Sequence, residues 1–347
     1  MWAEKTIIRT ASGIGLALVV FLGAIWGFRS VPGVSQAEAQ QAPSGALRHL
    51  VPLVRPDEPL LPLRQNKDDL NAQKVALGRA LFEDNRLSRD NTISCAFCHN
   101  LAQGGVDRQV RSIGVGGQEG TINAPTVYNS SLNFRQFWDG RASTLEEQAA
   151  GPIHNPLEMA SSWEEALPKL TADAALKSRF MSIYGRPPSA ETVQDAIAEF
   201  ERSLLTPSRM DRWLLGEDEA LTPEELAGYR LFVQHGCVAC HQGVNVGGNM
   251  YQRFGVMRDY FEGKAKVDAA DLGRFNVTRR EEDKHVFKVP SLRNVTLTSP
   301  YFHDGSTASL HEAVSKMGHY QLGVDLPPED VQAIVLFLYA LTGEALQ

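Results

Sequence analysis

The chain has 347 residues, of which 43% are hydrophobic and 22% charged, so it can bury hydrophobic cores and is not a disordered chain. Its formal net charge of −7 argues against nucleic acid as a partner, because nucleic-acid-binding proteins usually present a basic face. The length is enough for two modest domains and a leader.

The first 39 residues are predicted to direct export. Lys5 and Arg9 precede an uncharged stretch from Thr10 to Phe28, and an Ala-x-Ala sequence follows at 37–39. Two interpretations stay open: a signal peptide that is cut after residue 39, or an uncleaved membrane anchor formed by residues 10–28. Both interpretations place the rest of the chain in the periplasm.

Residues 40–65 are rich in proline and have no regular period, which predicts an extended tether on the surface. A helix is then expected from about Leu70 to Phe82, capped by Asn66 or Asp68. This helix contains the sequence GRALF at 78–82.

All four cysteines lie in two pentapeptides, CAFCH at 95–99 and CVACH at 237–241. A CxxC pair closes too short a loop to be a good structural disulfide, and the wide separation of the two pairs argues against a zinc site. One helical turn can instead bring both thiols to the two vinyl groups of one porphyrin, with the next histidine facing the iron. The sequence therefore predicts two covalent c-type haems, held by the following residues: Cys95, Cys98 and His99; Cys237, Cys240 and His241.

The first haem is expected to keep an open iron position, because no histidine follows His99 until His154. Peroxide chemistry at an open iron requires a side chain that moves a proton between the two oxygens. The stretch after residue 136 offers four candidates: Glu146, Glu147, Gln148 and Glu158.

A helix is predicted over Ser189 to Leu205, since apolar residues recur on one stripe. That stripe consists of Val193, Ile197, Phe200 and Leu204.

A second GxxLF sequence, GYRLF at 228–232, precedes the second CxxCH motif. It lies in a predicted helix at 221–232 that opens with a capping box of Thr222 and Glu225. The order of helix, GxxLF and CxxCH therefore occurs twice, which predicts two related haem-binding modules. A last helix, with Val331, Ile334, Leu338 and Leu341 on one stripe, is predicted over 328–341.

The second haem has several candidate ligands for its other axial position, and the sequence alone does not choose among them. They lie downstream of His241 and comprise Met250, Met257, Met317, His285, His303, His311 and His319. Strand signals are few, so the fold class is predicted as mostly α, with two cytochrome-c-like haem domains and long loops. The domain boundaries are set at 66–210 (the first module) and 211–347 (the second module).

Several segments closely resemble the bacterial dihaem cytochrome c peroxidases, over about residues 66–345. With both CxxCH motifs in order, the segments are NAPTVYN (123–129), QFWDGRA (136–142), EEQAAGPI (146–153), NPLEM (155–159), VPSLRNVTLTSPYFHDG (289–305) and MGHYQLG (317–323). A related branch is the dihaem enzyme MauG, which oxidises protein residues.

The resemblance implies a role for each matching residue. The first module would carry the peroxidatic haem with His99 as proximal ligand, Glu158 as acid/base and Gln148 lining the distal pocket. Trp138 would relay electrons between the haems.

The second module would carry the electron-transfer haem, with His241 and Met317 as its axial ligands. Asn123 and the backbone carbonyls of Thr298 and Pro300 match the interdomain calcium site of the family, and hard oxygen donors suit that ion.

One loop departs from the family pattern. Many members carry a histidine here, in a GHGW-like context, that occupies the distal position of the resting peroxidatic haem. This chain reads SIGVGGQEG at 112–120, with Val115 in place of the histidine and Gly117 in place of the tryptophan. Because valine cannot ligate iron, the peroxidatic haem is expected to be open without reductive activation.

The function predicted from the resemblance is reduction of hydrogen peroxide to water with electrons from a small cytochrome c or a cupredoxin. The alternatives are a MauG-like oxidase of protein residues and a non-catalytic dihaem electron carrier. Met317 argues against the MauG-like alternative, because that branch carries tyrosine at this position. Members of the family often form homodimers, although nothing in this sequence indicates one.

Overall fold

The computed structural model describes residues 54–64 and 69–346. The predicted signal or anchor segment, most of the tether and the two predicted caps Asn66 and Asp68 lie outside the described residues. Within the described ranges, no helix combines the length and the apolarity that a membrane span requires.

The described part is mostly helical, as predicted. The α-helices are α1 (Ala72–Phe82), α2 (Cys95–Cys98), α3 (Leu145–His154), α4 (Trp163–Ala172), α5 (Ala174–Tyr184), α6 (Ala190–Arg202), α7 (Arg209–Leu214), α8 (Pro223–Gln234), α9 (Phe275–Thr278), α10 (Leu310–Lys316) and α11 (Pro328–Ala340). Two short strands, β1 (Tyr251–Arg253) and β2 (Val286–Lys288), pair antiparallel with Tyr251 opposite Lys288. A π-helical turn, Met317–Leu322, follows α10 directly.

Helix α1 begins at Ala72, and the predicted caps Asn66 and Asp68 were wrong. Asn71 is the N-cap: its backbone is extended, and its side chain accepts hydrogen bonds from the backbone N–H groups of Gln73 and Lys74. Asn71 satisfies two of the N–H groups that have no partner inside the helix, so the helix starts directly after it.

The predicted repeat is present in three dimensions as two similar helix crossings. Helix α1 crosses α6 at Gly78, where a Cβ atom would overlap the carbonyl oxygen of Ala196; α8 crosses α11 at Gly228, where a Cβ atom would overlap that of Ala333. Beside each crossing two phenylalanine rings meet, 5.3 Å apart in the first module and 5.1 Å apart in the second. The glycine of each GxxLF sequence is therefore required by close helix packing.

Each crossing lies in its own hydrophobic cluster. The first cluster is formed by buried residues between Leu77 and Phe200, and the second by Leu60 and buried residues between Met210 and Leu341. Helix α7 spans the predicted boundary at 210, and its Met210, Trp213 and Leu214 all belong to the second cluster. The domain boundary itself stays a prediction.

Residues 54–64, called the strap below, pack on the second module although they precede the first. Leu60 is fully buried in the second cluster, and the Gly243 N–H donates to the Pro59 carbonyl at 2.9 Å. The Leu63 N–H donates to Asp211 Oδ1 at 2.6 Å. This described part of the predicted surface tether therefore contributes a side chain to the core.

Candidate functional site

The first CxxCH motif forms a single helical turn, α2, and His99 ends it. His99 Nδ1 lies 3.3 Å from the carbonyl oxygen of Gly105. A neutral imidazole that donates from Nδ1 to a carbonyl keeps Nε2 as the nitrogen that can bind a metal. Burial lowers the pKa of His99, which favours this neutral form.

All four cysteines are unpaired thiols in buried or half-buried surroundings. Burial raises the pKa of Cys95 to about 12 and those of Cys98 and Cys237 to about 11, and it also raises the pKa of Cys240. Structural zinc sites need about four ligands close together, and within the described ranges the only group of three or more potential ligands is Asp271, His303 and Asp304, which includes none of these thiols. They fit the alternative that the sequence predicts, in which the sulfur atoms are consumed in thioether bonds.

The second CxxCH motif opens onto a cavity of about 430 Å³ with a mainly apolar lining. Cys237, Cys240, His241 and Met317 all line it. His241 Nδ1 is buried without an aligned hydrogen-bond partner, although the nearby carbonyls of Val246 and Pro290 favour its protonation. Burial outweighs these carbonyls and lowers the pKa of His241 to about 4, so the imidazole is neutral and can act as a metal ligand. An apolar cavity with paired thiols and a neutral imidazole fits a c-type haem.

Of the seven candidate axial ligands of the second haem, only Met317 and His303 line the cavity. His303 Nε2 hydrogen-bonds to Asp271 Oδ1 at 2.8 Å, and its ring stacks on Phe287 with 4.4 Å between the centroids. Met257 is 62% exposed. Met317 thus remains as the thioether beside the cavity, and it starts the π-helical turn, an element frequent at functional sites.

Trp138 lies on the lining of the same cavity. Its Nε1–H donates to the Asn123 carbonyl at 2.9 Å, and its ring meets that of His303 edge-on, with the centroids 6.4 Å apart. The three residues predicted to bind calcium, Asn123, Thr298 and Pro300, line this cavity too. The structure therefore brings them to one region, while calcium binding stays a prediction.

Two of the four distal candidates are already held by other groups of the first module. Glu147 accepts a hydrogen bond from the Ser143 N–H at 2.7 Å at the start of α3. Glu146 on α3 forms an ion pair at 2.5 Å with Arg202, the last residue of α6. Neither carboxylate is free to serve a buried haem.

The other two candidates, Gln148 and Glu158, are half-buried. Burial raises the pKa of Glu158, although a hydrogen bond from Asn155 Nδ2 at 2.6 Å opposes the shift. A raised pKa brings a carboxyl group closer to the pH at which it can both give and accept a proton, which general acid–base catalysis requires.

The loop at 112–120 is fixed to the turn that carries Glu158. The Val115 N–H donates to the Glu158 carbonyl at 2.8 Å, and the Gly114 N–H to that of Gln118 at 2.8 Å. A Cβ atom on Gly114 would crowd the backbone of Leu157 and Glu158, so glycine allows this contact. The Val115 side chain packs against the first hydrophobic cluster and offers no ligand atom.

Sequence reasoning missed several buried ionisable groups, among them Glu201 and Asp271. Glu201 on α6 is 5% exposed and lies near enough to Cys95 to add to the effect of burial on the pKa of that thiol. The sequence did indicate that Glu201 is buried, because it follows Ile197 by four residues on the apolar stripe of the helix. Buried Asp271 forms ion pairs with Lys264 at 2.7 Å and His303 at 2.8 Å, and no local pattern indicated this cluster.

Comparison with known proteins gives a consistent result. The family model for di-haem cytochrome c peroxidase matches residues 72–219. Cytochrome c peroxidase Ccp of Escherichia coli is 53% identical over 289 residues, which cover 83% of this chain and 62% of that protein's length. Cytochrome c551 peroxidase of Nitrosomonas europaea is 47% identical over 302 residues, which cover 86% of this chain and 89% of that protein.

A solved structure extends the similarity to the fold. The crystal structure of a MauG-like protein associated with microbial copper homeostasis is 30% identical, with a TM-score of 0.72 over 83% of this chain and 95% of that protein. The chain therefore belongs to the di-haem cytochrome c peroxidase family, whose members carry two haems, and it is an enzyme of the peroxidase class.

Proposed function

We propose that the chain reduces hydrogen peroxide to water with electrons from a small c-type cytochrome or a cupredoxin. The observation that carries the proposal is the unequal surroundings of the two CxxCH motifs. His241 shares its cavity with the thioether of Met317, whereas the 112–120 loop, whose Ser112 lies beside the Cys98 thiol, carries Val115, which has no ligand atom. The second iron would thus have protein ligands at both axial positions, which suits electron transfer, and the first would keep one position open to peroxide.

Haem attached through each cysteine pair supplies one-electron redox chemistry, and the protein supplies orientation and protons. Reduction of one peroxide consumes two protons and two electrons and yields two water molecules. Glu158 would accept a proton from one peroxide oxygen and return it to the other, which assists cleavage of the O–O bond. Gln148 on α3 would orient the peroxide through its amide.

Trp138 would connect the two redox centres. It reaches the cavity of the second haem and is tied through Asn123 to the segment that runs on from the 112–120 loop. Asn123, Thr298 and Pro300 would bind calcium at the same junction and hold the two modules in register.

The hydrogen bond from the Val115 N–H to the Glu158 carbonyl places a residue without a ligand atom beside the proposed acid/base, which supports an open peroxidatic haem in the oxidised enzyme. An enzyme of this kind would react with peroxide without prior reduction. Met317 also favours the peroxidase over a MauG-like oxidase, because tyrosine characterises that branch at this position. We further propose a periplasmic location for the catalytic modules, with residues 10–28 as signal or anchor.

The test combines peroxide titration of the fully oxidised protein with steady-state turnover on a reduced cytochrome c. We expect two haems per chain, a high-spin electron paramagnetic resonance signal from the first haem, and a loss of about 10²–10⁴-fold in kcat/KM in Glu158→Gln. Glu147→Gln is the matched control, since Glu147 is bound at the surface, and it should turn over like the wild type.

Three results would contradict the proposal. An all-low-spin oxidised protein with nitrogen ligands on both irons would exclude the open site. Unchanged turnover in Glu158→Gln would remove the acid/base role. A haem content of one per chain would exclude the two-centre mechanism altogether.

A further inference from the structure

Lys288 is a buried cation that lines the cavity of the second haem. It is the last residue of β2, only 6% exposed, and its backbone N–H donates to the Trp138 carbonyl at 2.8 Å. Among the described residues, none forms an ion pair or a hydrogen bond with the Lys288 ammonium group. Burial lowers its pKa to about 8, and no nearby carboxylate opposes that shift.

Two other cations of the described chain that reach buried carboxylates are paired. Arg293 is held by both carboxylate oxygens of Asp211, at 2.7 and 2.8 Å. Lys264 contacts Asp271 at 2.7 Å and Asp304 at 3.0 Å. An unpaired charge in a protein interior is costly, and buried charges are therefore normally paired.

The lining of the cavity supplies no anion for Lys288. It contains cationic side chains, Arg253 and Lys288 among them, but no aspartate and no glutamate among the described residues. A c-type haem brings an apolar ring and two propionate carboxylates. The ring matches the apolar lining, and a propionate is the anion that the cavity lacks.

We propose that Lys288 is the counter-ion of a propionate on the haem held by Cys237, Cys240 and His241, and that this ion pair raises the reduction potential of that haem. The inference rests on the proposed function, because it needs a haem in this cavity. A positive charge beside the haem favours the reduced state, which carries one positive charge less. Lys288 is thus a positioning and tuning residue for the electron-donating centre.

The test is a spectroelectrochemical titration of both haems in the full two-haem protein. Lys288→Met keeps an unbranched side chain of similar length and removes only its charge, so we expect the fold to be retained. We expect the midpoint potential of the Met317-associated haem to fall by about 59 mV, which is a tenfold change for a one-electron couple. Lys288→Arg keeps the charge and should keep the potential.

Lys284→Met is the matched control, because Lys284 lies four residues earlier, is 39% exposed and pairs with Glu281. Its potentials should equal those of the wild type. An unchanged potential of the second haem in Lys288→Met, or a fall confined to the first haem, would overturn the assignment. A wild-type chain with one haem would instead overturn the proposed function, so the two failures are distinguishable.

Discussion

Glu158 and Glu201 are both shielded from water in the first module, but they have different partners. Glu158 accepts a hydrogen bond from Asn155, which stabilises its ionised form and limits the effect of burial on its pKa. Glu201 has no side-chain hydrogen bond to the described residues, and burial raises its pKa to about 8. Glu201 is therefore mainly protonated at neutral pH, whereas Glu158 keeps a hydrogen-bond donor that favours its ionised form.

The raised pKa of Glu201 predicts a pH-dependent stability. A carboxyl group whose folded pKa lies above its unfolded value binds more protons in the folded state at intermediate pH. Its contribution is complete below about pH 4.5 and is lost as the pH rises through about 8. Between these limits the wild type should lose up to about 5 kcal/mol of its free energy of unfolding, and Glu201→Gln should not show this loss. Urea unfolding at pH 5 and pH 8 measures the difference.

Glu191→Gln is the control for this measurement, because Glu191 lies on the same helix with an exposed side chain. It should retain the pH dependence of the wild type. An equally steep loss of stability in Glu201→Gln would show that another group is responsible.

At the scale of elements, the two helix crossings explain why each module needs glycine within a helix. Glycine at a helix interior is unfavourable by about 0.8–1 kcal/mol relative to alanine. The chain accepts this cost at Gly78 and Gly228, because a Cβ atom there would overlap a carbonyl oxygen of the partner helix. Close packing of the two helix backbones therefore requires glycine at these positions, although its helix propensity is low.

Helix propensity and close packing predict opposite effects of Gly228→Ala on stability. Helix propensity alone predicts a gain in stability, whereas overlap with Ala333 predicts a loss of about 1–3 kcal/mol from overpacking. We expect the loss, measured as the free energy of unfolding in urea. Ala227→Gly, at the exposed neighbouring position, should lose only about 1 kcal/mol, and a more stable Gly228→Ala protein would refute the close crossing.

At the scale of the whole molecule, Asp211 joins three distant segments. Its carboxylate receives the Leu63 N–H of the strap, the Ser208 N–H and hydroxyl before α7, and the guanidinium of Arg293. The side chains of Asp211 and Arg293 are 2% and 1% exposed. The strap therefore depends on an ion pair inside the second module.

Arg293→Met is expected to destabilise the protein by about 3–5 kcal/mol, because Asp211 would be left charged and uncompensated in the interior. Urea unfolding gives the magnitude, and limited proteolysis should show earlier cleavage within the strap. Arg212 lies beside Asp211 on α7, and Arg212→Met breaks exposed ion pairs with Glu217 and Glu344. That control should cost at most about 1 kcal/mol, and an equal cost for both variants would contradict the proposed role of Asp211.

The sequence by itself determined the parts of this protein that depend on local spacing. The CxxCH motifs, the GxxLF repeat, the capping box at Thr222 and Glu225 and the stripes of α6 and α11 each lie within a few turns of chain, so their periodicity and residue types were sufficient. The resemblance to the peroxidase family supplied roles for Glu158, Gln148, Trp138 and Met317.

Only the tertiary structure decided which of several equivalent side chains meet. It brought only Met317 and His303 of the seven candidate ligands to the cavity, paired Glu146 with Arg202, and moved the helix cap to Asn71. It also placed the strap on the second module and left Lys288 beside a cavity without an anion. The physical reason is that burial and charge pairing depend on segments far apart in sequence, and no local pattern records which of them come into contact.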